Sequence, residues 1–310
     1  MHGNDHDVTD RVKTTEKDSV NREIDRIFLE LYPQADTRTL DLAFNDAASL
    51  YRGGHPGYLP CDTAYHDIQH VLDVTLAMAR LVDGYERSRI GAEPLGQRLF
   101  LLGVITALFH DIGYLRTKEE AATCSNGAEF TMVHVSRGGE FLKNYLPRIG
   151  MADQAAIAAE LIHFTGYERP ISSIQVPGLI YRLLGNLLGS ADIIAQMSDR
   201  CYLEKCRDRL YPEFVAAGMA EKKKADGSIE VIYSSGPDLL QKTPAFYKSA
   251  NKRLEDDLHG GYAYAEHHFG GQNLYIESVE KNIRVLETVN NEGDASMLKR
   301  IPPDTLSKPE

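Results

Sequence analysis

The mostly apolar run 99–109 ends in His110-Asp111, two adjacent polar groups that can each hold a metal. A run of that length reads as a buried helix, and it falls short of the roughly 20 apolar residues that cross a bilayer. An imidazole or carboxylate carried into a core is costly unless it is paired, hydrogen-bonded or bound to a cation. Taken alone, the dipeptide reads more readily as a helix end that reaches solvent. What constrains the fold is whether other segments bring partners of matching phase.

Several do. Residues 64–83 read as a helix with Val74, Ala77, Met78 and Leu81 on its apolar stripe. His66 and His70 stand four apart, which predicts that they share that face. A helix over 128–146 carries His134 on its inner side, and one over 152–164 carries His163 in its last turn. In the apolar helix 178–198, Leu184, Leu188 and Asp192 repeat at four-residue spacing. Asp192 is thereby set on a core stripe with no Lys or Arg on a neighbouring turn of that face, and such a carboxylate needs a cation. Gly103, within the apolar run, costs helix stability but permits a close neighbour. Five helices thus deliver imidazoles or carboxylates to apolar faces, a donor set suited to zinc, iron, manganese or nickel. His267-His268, in a Gly-rich bend, is a weaker pair with no acidic neighbour of matching phase.

The remaining pattern predicts an all-α chain, with further helices over 20–33, 37–52, 199–216, 236–258 and 272–290. The exception is 220–235, where Asp226-Gly227 between short strand-like runs predicts a small β-hairpin insertion. Residues 1–18 are polar and predict a disordered tail, as does the stretch 291–310. Between them, 19–290 reads as one helical domain with its motifs in 60–215. With 34 basic against 45 acidic residues and a formal charge of −11, the chain argues against binding a nucleic-acid polymer, which needs a basic footprint. A small anion held by a metal stays compatible. The four cysteines, Cys61, Cys124, Cys201 and Cys206, form no C-x-x-C pair. They read as reduced thiols of a cytoplasmic protein, and the polar N-terminus does not resemble a secretory signal.

The order His70 … His110-Asp111 … Asp192 resembles the H…HD…D signature of the HD-domain metal-dependent phosphohydrolase superfamily. His134 and His163, between the HD pair and the last Asp, resemble the branch with a two-metal site, and His134-x-x-x-Gly138 is similar to an element of the HD-GYP branch. Tyr65-His66-Asp67-x-x-His70 is similar to the Y-H-N-x-x-H opening of cyclic nucleotide phosphodiesterase catalytic domains. Tyr114 stands where those enzymes carry a second His, and Asp67 where they carry Asn. The resemblance covers about residues 60–215 and implies an HD-type, phosphodiesterase-like helical bundle with two divalent transition metals (iron, manganese, zinc or nickel). His70, His110, Asp111 and Asp192 would hold the first metal. His134 and His163 would complete the second, with Asp111 bridging. A hydroxide between the metals would attack phosphorus, and His66 would act as the general acid for the leaving oxygen. Two metals about 3.5–4 Å apart suit an in-line phosphoryl displacement, and an unligated imidazole titrates near working pH.

The implied activity is phosphohydrolysis, foremost a phosphodiesterase acting on a nucleotide or cyclic nucleotide, with His66 and Asp111 as catalytic residues. The implied partner is a small anionic phosphoester, with no nucleic-acid polymer and no membrane, and a homodimer is left open. Two alternatives share the ligand set: a mixed-valent di-iron oxygenase and a non-catalytic ligand sensor. Arg116, Lys118, Arg137 and Arg169 are cations near the motifs, and Gln69 and Gln196 are candidate base contacts, although no spacing rule selects any of them.

Overall fold

The helices form where apolar residues recur at helical spacing, and polar caps decide where several of them start. The computed structural model describes residues 3–224 and 226–306. The N-terminal third forms α1 (Lys17–Leu31), α2 (Arg38–Tyr51), α3 (Ile68–Ser88) and α4 (Gly96–Leu108). The middle forms α5 (His134–Tyr145), α6 (Ala155–Leu161), α7 (Leu179–Ser198), α8 (Tyr202–Lys205) and α9 (Tyr211–Ala216). A π turn, Cys206–Leu210, joins α8 to α9. Then come β1 (Glu221–Lys223) and β2 (Ile229–Val231), followed by α10 (Gly236–Lys252), α11 (Ala265–Phe269) and α12 (Leu274–Glu292). The chain is all-α apart from the expected hairpin, whose antiparallel register pairs Glu221 with Val231 and Lys223 with Ile229. Among the described residues no helix is long and apolar enough to cross a membrane.

Helix α3 is the axis of the bundle. It is buried at almost every position from Ile68 to Tyr85, because α7, α4, α1 and α11 all pack on it. Gly103 in α4 is one reason they can: a Cβ there would lie 2.5 Å from Met78 of α3 and 2.9 Å from Leu184 of α7. The buried apolar side chains form one continuous cluster running from Val12 to Leu298.

Both ends of the chain depart from the expected tails. Asp7 is buried, and its carboxylate receives Arg80 of α3 at 2.5 Å together with the Val12 amide at 3.0 Å. Arg80 is itself fully buried and also donates to the Tyr275 hydroxyl. The N-terminal segment is ordered because a guanidinium in the bundle interior needs a carboxylate. Of the expected tail, Met1 and His2 lie outside the described residues. At the other end, Arg207 donates to the carbonyls of Ala295 and Leu298, and Arg209 to those of Pro302 and Pro303. Leu298 is buried. The expected tail here is therefore packed through residue 306, and 307–310 lie outside the described residues. The partners in both cases come from distant helices, which local composition does not reveal.

Candidate metal centre

Three elements that pack on one another bring the central donors together: the start of α3, the turn after α4, and the middle of α7. His70 sits in the first turn of α3. Asp67 is the N-cap of that helix and accepts the His70 amide at 3.0 Å. This cap corrects one expectation. The helix begins at Ile68, so His66 precedes it and does not share a helical face with His70. A capping carboxylate satisfies an amide that has no intrahelical partner, and so competes with extending the helix N-terminally. Asp67 also receives Arg209 and the Thr305 hydroxyl, so it anchors the position of His70 from behind.

His110 and Asp111 follow the last turn of α4, and His110 Nδ1 donates to the Ala107 carbonyl at 2.7 Å. That bond leaves Nε2 as the lone-pair nitrogen facing inward, the arrangement by which ligating imidazoles are oriented. His70 Nε2 lies 3.3 Å from His110 Nε2 and 3.3 Å from Asp111 Oδ2. His110 Nε2 is also 3.3 Å from Asp111 Oδ2. Asp192 Oδ1, from α7, is 3.5 Å from His70 and 3.7 Å from His110. Four donors about 2.1 Å from a common centre have tetrahedral edges of about 3.4 Å. The five separations match that spacing, and the donor atoms of His70, His110 and Asp192 fall within 4.8 Å of one another. Asp111 Oδ2 is buried with no hydrogen-bond partner, which a native interior rarely tolerates. Two nitrogens and two carboxylate oxygens, one of them orphaned, fit a borderline divalent cation.

Electrostatics point the same way. Burial alone would lower the His70 pKa, but Asp111 and Asp192 outweigh it and raise the group to about 10. His110 is raised against its burial by the same carboxylates. Burial would push Asp111 up, yet the His110 and His70 imidazoles hold it well below the usual carboxylate range. The cluster is therefore a pair of carboxylates that demands positive charge.

His134 is the first residue of α5 and not, as the expected span 128–146 implied, a residue nearly two turns inside it. The preceding stretch, Gly127–Phe130, is a 3₁₀ turn closed by an Asn126–Glu129 capping box. His134 Nδ1 donates to the Thr131 carbonyl at 2.7 Å, and its Nε2 lies 3.6 Å from Asp111 Oδ1. Burial lowers its pKa. Gly113 makes the approach possible, since a Cβ there would stand 1.9 Å from the His134 carbonyl oxygen. His163 lies beyond the end of α6, in the 3₁₀ turn Ile162–Phe164. It is buried, its Nδ1 has no hydrogen-bond partner, and burial lowers its pKa. It belongs neither to the close donor group nor to the wall of the adjoining cavity.

The donors His70, Asp111 and Asp192 line a cavity of about 430 Å³, with His66 and His134 beside them. His66 Nδ1 donates to Glu213 Oε2 at 2.6 Å, while Glu213 Oε1 accepts the Tyr65 amide. The carboxylate fixes the imidazole and leaves Nε2 as its free nitrogen. Tyr114 stacks on the rings of both His66 and His134, with centroids 4.3 and 4.4 Å away and interplanar angles of 17° and 21°. Sequence reading missed Glu213. Pro212-Glu213 at a helix start reads as an ordinary acidic first turn, and only the fold brings it to a residue 147 positions earlier.

Three of the four candidate cations are engaged elsewhere. Arg116 pairs with Asp62, Arg137 with Glu120, and Arg169 with Glu160. Gln69 is buried beside Lys205, whereas Gln196 does line the cavity and accepts the Tyr65 hydroxyl. His268 donates to Asp83 and is not paired with His267 at a metal.

A family model described as Npun_R2479-like matches residues 57–287, most of the chain and all of the candidate site. No curated protein and no solved structure matches.

Proposed function

The chain belongs to the Npun_R2479-like family, and we propose that it is a metal-dependent phosphohydrolase of the kind the H…HD…D pattern implies, foremost a phosphodiesterase. The observation that carries this reading is the convergence of His70, His110, Asp111 and Asp192 at the floor of a cavity, with an unligated imidazole held beside them. A divalent cation bound there would polarise a phosphoryl oxygen and lower the pKa of a water. Asp111 and Asp192 supply the negative charge that retains the cation. His110 is aligned by the Ala107 carbonyl and His70 by its capped helix start. His134 faces the second oxygen of Asp111, and with it would form the edge of a second metal position.

His66 has the part of the general acid. The Glu213 carboxylate accepts from Nδ1 and leaves Nε2 as the free nitrogen at the cavity, from which a proton would pass to the leaving oxygen. Tyr114 stacks on both the His66 and the His134 ring and helps to hold each in place. The free, buried cysteines fit a cytoplasmic setting.

The test is metal analysis of the purified chain, combined with a screen of phosphodiesters and phosphomonoesters in Mn²⁺, Fe²⁺ and Zn²⁺. At least one metal per chain, lost in His110→Ala, and turnover of an ester are expected. A metal-free protein that takes up none of these ions would refute the site. Iron with an oxygen-dependent reaction would move the reading to an oxygenase.

A further inference from the structure

The cavity has two chemically different walls. One holds the donors, His66 and His134. The other is built from the segments after α8 and is apolar: Leu210, Phe214, Met219, Tyr233, Leu239 and Phe246. The polar groups close to this second wall are largely committed inside the protein. Thr243 donates to the Leu239 carbonyl, and the Gln196 carbonyl accepts from Tyr65. Lys242, the cation among the lining Lys and Arg positions, donates to the Ile232 carbonyl and to Asp238 and lies over the Tyr233 ring. Exposed apolar side chains continue the wall to the mouth, with Met132 at 67%, Tyr167 at 65% and Phe246 at 39% exposure.

We propose that the site takes an amphipathic monoester or diester: one phosphoryl group at the donor cluster and an uncharged alkyl or aryl body along the apolar wall. The inference rests on the phosphohydrolase reading and names its substrate class. Two arguments separate it from a nucleotide or cyclic dinucleotide. A second phosphate would meet the Glu168 carboxylate and an already paired Lys242, with no free cation among the described lining residues to neutralise it. The polar edges of a base against Leu210, Phe214 and Leu239 would lose water without regaining hydrogen bonds. An apolar body instead gains on entering: each methylene buried contributes about 0.8 kcal/mol, roughly a fourfold tightening.

The experiment is calorimetric binding to the metal-loaded full chain of non-hydrolysable n-alkyl phosphonates from ethyl to octyl, alongside a cyclic mononucleotide and a cyclic dinucleotide. Dissociation constants should fall on the order of 10³- to 10⁴-fold from ethyl to octyl, with a heat-capacity change that grows more negative along the series. Phe246→Asp, at a half-exposed rim position, should flatten that dependence while leaving metal content unchanged. Affinity independent of chain length, or a cyclic nucleotide that binds more tightly than octyl phosphonate, would overturn the assignment. Turnover is scored separately with the matching alkyl esters. Chain-length-dependent binding without hydrolysis of any ester would leave the pocket assignment standing and refute the hydrolase reading.

Discussion

Removing the metal should make the stability of this protein fall with rising pH in the range where most proteins are indifferent. In the metal-free chain the carboxylates of Asp111 and Asp192 are balanced by protons on His70 and His110. His70 is raised from 6.5 to about 10, and the side chain is buried, so the shift is worth about 5 kcal/mol in all. The folded-state value lies above the unfolded one. The contribution is therefore complete below about pH 6.5 and is lost as pH rises through about 10. At pH 7 roughly 4 kcal/mol of it is present. The shift of His110 has the same sign. The assay is urea denaturation of chelator-treated protein at pH 7, 8.5 and 10, with the metal-loaded form and His70→Gln measured in parallel. Metal-free wild type should lose several kcal/mol across the series. The loaded form and His70→Gln should change far less. Metal uptake at pH 8 should release about one proton or more per ion, because the ligands must be deprotonated to bind. A metal-free stability that is flat from pH 7 to 10, or uptake without proton release, would refute the argument that this cluster is a pair of carboxylates short of positive charge.

Glu213→Gln should retain metal but lower kcat on the order of 10²-fold, since the carboxylate that accepts from His66 Nδ1 and fixes the imidazole is gone; loss of metal would instead make Glu213 part of the binding set. His134→Ala should lower occupancy or activity, whereas His163→Ala should leave the metal-to-protein ratio unchanged; a fall from two metals to one in the latter would restore His163 as a ligand. Asp7→Ala strands the Arg80 guanidinium in the core and should cost about 3–5 kcal/mol, read as a lower urea midpoint. A change within error would mean that water reaches Arg80.

Much of the site was legible because its signals are local. Asp192 sits on the stripe of Leu184 and Leu188, and a carboxylate on such a stripe announces itself at four-residue spacing. The apolar run ending in His110-Asp111 and the Asp226-Gly227 turn are equally local, and both the buried helix and the hairpin formed as expected. His66 was harder. Four-residue spacing promised a shared face with His70, but Asp67 capped the helix and took His66 out of it. Both outcomes use the same residues, and which prevails depends on side-chain hydrogen bonding that periodicity does not encode.

The amino-acid pattern by itself determined an all-α chain and a set of imidazoles and carboxylates that would have to be buried, because amphipathic spacing and the cost of unpaired polar groups are properties of short segments. Only the tertiary structure decided which of those groups meet. The packing of α3 against α4 and α7 draws four donors to one point. It also brings Glu213 to His66, Asp7 to Arg80 and the C-terminal segment to Arg207 and Arg209. These pairs are separated by tens to hundreds of residues, and no local rule can specify them: their energy comes from charge and burial shared between helices whose approach is set by the whole core.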